Sequence, residues 1–482
     1  MKPQLKDVSL LKSQCLIGGN WCGEPEAKVT NPANGEVIAT VPRMGSKEAQ
    51  DCIDAAFIAQ KTWAQRTAKE RANILRNWYN LIVANADDLA LILTLEQGKP
   101  LAEAKGEILY AASFVEFFAE QAKRINGEII PSPNSSGRVL VLREPLGVVA
   151  AITPWNFPAA MITRKLAPAL AAGCAVVCKP AGETPLSAFA LGELAIRAGV
   201  PAGVLNIING NSAQIGEVWC ASPIVRGLSF TGSTEIGKLL MRQCADTVKK
   251  LALELGGNAA FLVFDDADLE AAADGVMASK FRNTGQTCVC ANRILVQAKI
   301  HDEFLEILGR KISALKVADG LEKGATQGPL IDAKAVSKVN AHIADAKAKG
   351  ASVIIGGNVH AKGGNFFEPT LLVGVTKEMD VAKEETFGPL CPIFKFETEE
   401  EGLAMANDTE FGLASYFYAK DLGRVFRVAE GLEAGIVGVN SGLISNEVAP
   451  FGGIKQSGLG REGSHQGIDE YTEIKYVYLG IG

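Results

Sequence analysis

The sequence predicts an α/β protein built on a doubly wound parallel sheet, with a second α/β domain behind it. Three observations predict this. Short apolar runs recur from residue 147 onward, GVVAAI (147–152), CAVVC (174–178), VLNII (204–208) and GLSFT (227–231), with alanine-rich helical stretches between them. Strands about 25 residues apart with a helix in each gap are the pattern of βαβ units. A second series begins after LELGG (253–257), with AAFLVF, RILVQ, SVIIGG, LCPIFKF and GIVGVN as its strands, which places the second domain at 254–446. The length, 482 residues, also exceeds what one hydrophobic core supports.

The remaining segments follow in chain order. From about 48 to 126, Ala, Leu, Glu and Lys recur at helical spacing, predicting a set of amphipathic helices. RVLVLREP (138–145) and YTEIKYVYLGIG (471–482) belong to neither strand series and read as exposed-edge strands. An unpaired edge invites pairing with another chain, so 127–146 and 467–482 are expected to form an oligomerisation arm of a homodimer or homotetramer; an extra hairpin on the same subunit is the alternative. Residues 447–466 read as a returning loop.

Composition excludes several classes. The net charge is −6, so there is no basic face for nucleic acid or a membrane surface. MKPQLKDVSLLKSQ lacks the apolar core of a secretory signal, and no apolar run is long enough for a bilayer. Ten scattered cysteines are not a disulfide framework, which points to a reducing cytoplasm. The four histidines, His301, His342, His360 and His465, show no metal-ligand spacing, so no metal is expected and a Ser-His-Asp site starts weak.

The one G-x-G-x-x-G, at Gly458, Gly460 and Gly463, follows the loop FGGIKQS instead of a strand, so it reads as a decoy. FTGSTEIG (230–237) follows a strand and opens a helix. Gly232 and Ser233 there would offer N–H groups to an anion, or form an ordinary cap. Lys179 ends another strand of the same sheet and is a candidate phosphate or ribose contact, or a solvated lysine.

The chemistry-bearing stretch is FRNTGQTCVC (281–290). Cys288 follows a polar loop with a flexible glycine, an unusual setting for a filler cysteine. Glu254 ends an apolar strand before two glycines; burial there is costly unless the carboxylate works or is paired. Asn156, between the prolines of TPWNFP, is a rigidly held amide suited to a developing oxyanion. A nucleophilic thiol, a carboxylate base, an amide donor and a dinucleotide fold together suggest aldehyde oxidation through a thioester.

TNPANGE, EQGKP, PWNFP, KPAGETP, FTGST, LELGG, GQTC, EETFGP and PFGGIKQSGLGREG occur in this order over essentially the whole chain. On these motifs the sequence resembles the NAD(P)-dependent aldehyde dehydrogenase family. The resemblance implies a Rossmann-type cofactor domain (1–126 and 147–253) and a catalytic domain (254–446). It implies that Cys288 attacks the aldehyde, that Asn156 and the Cys288 N–H hold the oxyanion, and that Glu254 activates the hydrolytic water. Glu385 would bind the nicotinamide ribose, with Trp155, Lys179, Gly232, Ser233 and Leu255 lining the cofactor site. Gly182 stands where NAD-preferring members often carry a Glu, so NADP is the expected cofactor, with NAD also used; Glu183 is the residue able to substitute for that Glu.

Arg164 and Arg282 are candidate carboxylate clamps, or a solvated face and a helix-terminal charge. MITRK, FRNTGQTCVC and GLIS resemble the succinate-semialdehyde branch, which implies a clamp of Arg164, Arg282 and Ser445, a succinate semialdehyde substrate, and glutarate semialdehyde as competitor. The usual setting of that branch is 4-aminobutyrate breakdown. A cysteine-dependent acyl hydrolase or a non-catalytic structural member are the readings from other classes. Cys290 is expected to be packing filler, or a redox partner that joins Cys288 in a reversible disulfide.

Overall fold

A computed structural model describes residues 4–482; the first three residues of the expected N-terminal segment lie outside it. Four helices build the N-terminal layer: Ser46–Gln65, Ala68–Ala84, Ala86–Gln97 and Leu101–Gln121. Thr67 and Glu70 form a reciprocal capping box at the second, as the spacing TAKE dictates. The third ends at Gly98, whose φ of +94° only glycine adopts without strain.

The first sheet has eight strands, in the order Asn20–Cys22, Cys15–Ile17, Leu205–Ile207, Ala175–Lys179, Val148–Ile152, Val225–Thr231, Lys250–Glu254 and Gly458–Leu459. The five central strands from Leu205–Ile207 to Lys250–Glu254 are parallel, and all four predicted apolar runs fall among them. The chain leaves Val148–Ile152 toward one side and later returns to the other, so the order reverses beside that strand. In open α/β sheets a crevice beyond the strand ends opens at such a reversal. Its walls here are Pro154–Phe157 and Thr231–Ser233.

The second sheet has seven strands, ordered Ser352–Ile355, Thr370–Val373, Leu390–Phe396, Ala291–Gln297, Ala259–Val263, Ala414–Tyr418 and Ile436–Val439. All five predicted strands are present. Thr370–Val373 and Ala414–Tyr418 were not foreseen: the first is only four residues long, and the second is a short aromatic run without alternation.

Two expectations need correction. Gly137–Pro145 is not an edge strand. It is the centre of a three-stranded sheet, paired antiparallel with Thr472–Gly480 on one side and Glu128–Ile130 on the other. The two segments read as open edges satisfy each other, because their nine residues match in register from Gly137↔Gly480 to Pro145↔Thr472. The outer strands still expose Ile129, Ile474 and Tyr476. The returning segment is also not all loop: Gly458–Leu459 adds an antiparallel edge to the first sheet. At Gly458 a side chain would lie 1.9 Å from the Leu253 carbonyl oxygen. The glycine fingerprint therefore serves close strand approach. Among the described residues no helix is long and apolar enough to cross a membrane, and no three His, Cys, Asp or Glu side chains gather as a metal site.

Gly98→Ala is expected to destabilise the protein by about 1–3 kcal/mol, since the new Cβ would sit 2.7 Å from Pro329 Cγ and 2.8 Å from Pro32 Cγ in a left-handed conformation. A thermal unfolding midpoint equal to wild type would contradict this.

Candidate active site

Three segments meet at the crevice. The turn after Val148–Ile152 carries Trp155 and Asn156, the end of Lys250–Glu254 carries Glu254, and the loop before Ala291–Gln297 carries Cys288. That loop is held against its own preferences. Asn283 (φ 50°) and Thr284 (φ 56°) are left-handed, which a β-branched residue strongly resists. Surrounding bonds over-determine it. Asn283 N donates to Glu103 at 2.8 Å, Asn283 Nδ2 to the Asn156 carbonyl at 3.0 Å, and Thr284 Oγ1 accepts from Gly328 N at 3.1 Å. At Gly285 a side chain would stand 2.2 Å from the Gly388 carbonyl oxygen. Strain of this kind persists where surrounding structure imposes it, typically at functional sites.

Cys288 is half-buried and opens on a cavity of about 270 Å³ with Asn156, Glu254, Leu255, Gly256, Glu385 and Phe387. Burial, reinforced by Glu254, pushes its thiol well above the ordinary value, so the resting group is a thiol. Both Glu254 oxygens are buried without a hydrogen-bond partner. Burial pushes this carboxyl up to about 8, with Arg164 pulling the other way. A carboxyl that titrates near 8 and a protonated thiol thus share one cavity. Asn156 Nδ2 donates to the Gln286 carbonyl at 3.0 Å, which leaves its second N–H for a ligand.

The same cavity fits a nicotinamide nucleotide by the chemistry of its walls. Glu385 accepts only a long 3.4 Å bond from Gly257 N, and burial lifts its carboxyl to about 7. Gly232 and Gly256 leave backbone exposed where side chains would intrude: a Cβ at 256 would lie 3.3 Å from Glu385 Oε2. Ser233 caps the helix Thr234–Cys244, accepting from Ile236 N, so of the two readings of FTGST the cap is seen directly. Lys179 is buried at the strand end and donates to the Pro180 carbonyl; a side chain at 182 would meet nothing nearer than Asn209 Oδ1 at 3.9 Å. Lys338, which the sequence did not single out, also lines the cavity; an exposed helical lysine carries no signal of this.

A second cavity, about 320 Å³, is lined by Lys99, Glu103, Tyr110, Phe157, Arg282 and Ser445, among others. Asn156 faces the first cavity and its neighbour Phe157 the second. Among the described residues no carboxylate lies within ion-pair distance of Arg282, whose guanidinium rests 4.7 Å from the Phe157 ring centroid. Arg282 and Ser445 are therefore together, as expected. Arg164 is not with them. It is buried, ion-paired with Glu462 and stacked over Phe451 at 4.2 Å, with Nη2 unpartnered. Lys165 shares Glu462. Against the upward push of burial, the two cations hold the Glu462 carboxyl below its usual range. Sequence reasoning missed Glu462; two adjacent cations on a buried helix without a nearby acid are the signal that calls for it. Cys290 is buried and points elsewhere, donating its thiol to the Lys280 carbonyl at 3.3 Å.

The profile described as the aldehyde dehydrogenase family matches residues 21–477. The chain belongs to the aldehyde dehydrogenase family. Among characterised family members it is 61% identical to the NADP(+)-dependent succinate-semialdehyde dehydrogenase of Escherichia coli (strain K12), over 99% of this chain and 100% of that one. It is 60% identical to a glutarate-semialdehyde dehydrogenase of Pseudomonas aeruginosa, over 99% of each. The crystal structure of a succinate-semialdehyde dehydrogenase from Burkholderia pseudomallei superposes with a TM-score of 0.98 at 61% identity, covering 99% of this chain and 100% of that one. The aldehyde dehydrogenase fold and an oxidoreductase activity follow for this chain.

In this aldehyde dehydrogenase the base role expected of Glu254 would require its carboxyl to be ionised. With its carboxyl lifted to about 8, turnover is expected to climb with pH, roughly tenfold per unit, and to level off above about 8. Glu254→Gln is expected to lose that limb and at least about 10²-fold in rate. A rate independent of pH between 6 and 9 would contradict the assignment.

Proposed function

We propose that this aldehyde dehydrogenase oxidises succinate semialdehyde to succinate, preferring NADP and also accepting NAD. The observation that carries the substrate reading is the free Arg282 guanidinium beside Ser445, in a cavity across the Asn156–Phe157 turn from Cys288. A half-buried cation with no ion-paired carboxylate is complementary to a ligand carboxylate. The E. coli and P. aeruginosa relatives are named for four- and five-carbon semialdehydes, so glutarate semialdehyde stays the competing substrate.

Glu254 takes the Cys288 proton, and the thiolate attacks the aldehyde carbon to give a thiohemiacetal. The Asn156 amide and the Cys288 N–H hold the oxyanion. The nicotinamide cofactor, held by Glu385, Trp155, Leu255, Gly232, Ser233 and Lys179, supplies hydride acceptance when bound. Glu254 releases the Cys288 proton to solvent and, as a carboxylate again, deprotonates water for attack on the Cys288 thioester; the C–S bond breaks, succinate leaves, and the Cys288 thiolate takes the water's proton back from Glu254. Arg164, ion-paired with Glu462 and with Nη2 buried and unpartnered, lies outside the Arg282 cavity. The open surface at Gly182 supports NADP, because no carboxylate at that position repels a 2′-phosphate. A 4-aminobutyrate-degrading, cytoplasmic setting and a homodimer or homotetramer joined through the three-stranded sheet, whose open edges are Thr472–Gly480 and Glu128–Ile130, complete the reading. A disulfide from Cys290 to Cys288 would require Cys290 to leave the Lys280 carbonyl; inactivation by peroxide and rescue by dithiothreitol that persist in Cys290→Ser would exclude it.

Arg282→Ala is expected to raise KM for succinate semialdehyde roughly 10- to 100-fold while leaving KM for butanal within about threefold. Equal losses would remove the clamp. Comparing kcat/KM for NADP and NAD tests the cofactor; a clear NAD preference overturns the Gly182 argument.

A further inference from the structure

The motif EQGKP (96–100) contributes none of the reacting groups above, yet Lys99 ends among them. Its side chain is 1% exposed. Nζ donates to Glu107 Oε2 at 2.5 Å and to the backbone carbonyl of Asn156 at 2.8 Å, and it lies 3.9 Å from the Phe157 ring centroid. Lys99 therefore touches both residues of the turn that carries the amide donor.

The Asn156 carbonyl has a second donor, Asn283 Nδ2 at 3.0 Å. Asn283 belongs to the strained loop that carries Cys288, and the Asn156 amide itself donates to Gln286 of that loop. One carbonyl thus joins the donor turn to the nucleophile loop. The other oxygen of Glu107, Oε1, accepts from Ala159 N at 2.9 Å and Ala160 N at 3.3 Å, fixing the far end of the same turn. Pairing with Glu107 alone would satisfy the charge of Lys99. The bond to the Asn156 carbonyl is additional, and it pins the backbone two bonds from the side chain that has to meet the oxyanion.

We infer that Lys99 is a positioning residue, gripping the Asn156 backbone so that its side-chain amide faces the developing oxyanion beside Cys288. The inference rests on the proposed role of Asn156 as oxyanion donor. Its physical basis is that displacement of a reacting-site donor by about 1 Å costs on the order of 10²-fold in rate.

Lys99→Met alone strands a buried Glu107 carboxylate, so the working variant is Lys99→Met/Glu107→Gln, with Lys99→Arg as the charge-conserving control. Full-length enzyme is assayed for kcat, for KM of aldehyde and cofactor, and for Cys288 alkylation by iodoacetamide, in wild-type and Asn156→Ala backgrounds. The double variant is expected to lose roughly 10- to 100-fold in kcat, with cofactor KM and alkylation rate within about twofold of wild type. Lys99→Arg is expected to recover part of the loss. In the Asn156→Ala background, itself slowed about 10²- to 10³-fold, the Lys99 change is expected to cost no more than about a further twofold. Additive losses, an undiminished kcat, or alkylation falling in parallel with kcat would overturn the inference alone. An Asn156→Ala enzyme with wild-type kcat would overturn the donor assignment and the inference with it.

Discussion

Two buried carboxylates from the N-terminal helices hold the cofactor half of the molecule together. Helices Ala160–Ala172 and Leu186–Ala198 begin deep in the protein at Ala159 and Pro185, neither of which caps by side chain. Their first N–H groups cannot reach water, and leaving them orphaned would cost several kcal/mol. Glu107 satisfies one helix start and Glu96 the other, accepting from Leu186 N and Ser187 N at 2.7 and 2.8 Å. Each carboxylate sits near the positive end of a helix dipole, which suits its charge. Burial still lifts the Glu96 carboxyl to about 8, so the N–H donors only partly offset desolvation. Both helices dock only against a complete N-terminal layer, and the turn bearing Asn156 is formed between that layer and the sheet.

The active site depends on the opposite condition. Glu254 and the Asn156 Oδ1 are buried and unsatisfied, and Arg164 keeps one idle Nη2. A well-satisfied interior leaves few such atoms. Those of Glu254 and Asn156 belong to residues lining the cavity on which Cys288 opens, which suits a site organised for bonds made to a reacting ligand. Nearby, Arg164 and Lys165 share the Glu462 carboxylate, so one positive charge remains uncompensated near Glu254 and draws its carboxyl down against the larger effect of burial.

Spaced apolar runs located the central strands of the first sheet and five of the seven strands of the second, and the resemblance supplied the roles of Cys288, Glu254, Asn156 and Glu385, which the fold brings to one cavity. What stayed illegible was long-range pairing. Arg164 and Arg282 look equivalent in sequence; the first is claimed by Glu462, nearly 300 residues later, while the second is left free. Gly137–Pro145 alternates like an edge strand, and only its register with Thr472–Gly480 makes it central. The role of Lys99 was invisible for the same reason, since its partner Asn156 contributes a backbone carbonyl, which any residue would present.

The short strand Gly458–Leu459 ties the neighbourhood of Glu254 to a segment far along the chain. It closes the edge beside Leu253 and Glu254, Ser457 accepts from Leu255 N at 3.0 Å, and Glu462 reaches back to Arg164 and Lys165. All of these contacts come from the last thirty residues. The edge beside Glu254 and the charges around it are thus set by one short segment, Ser457–Glu462, which belongs to neither of the strand series read from the sequence.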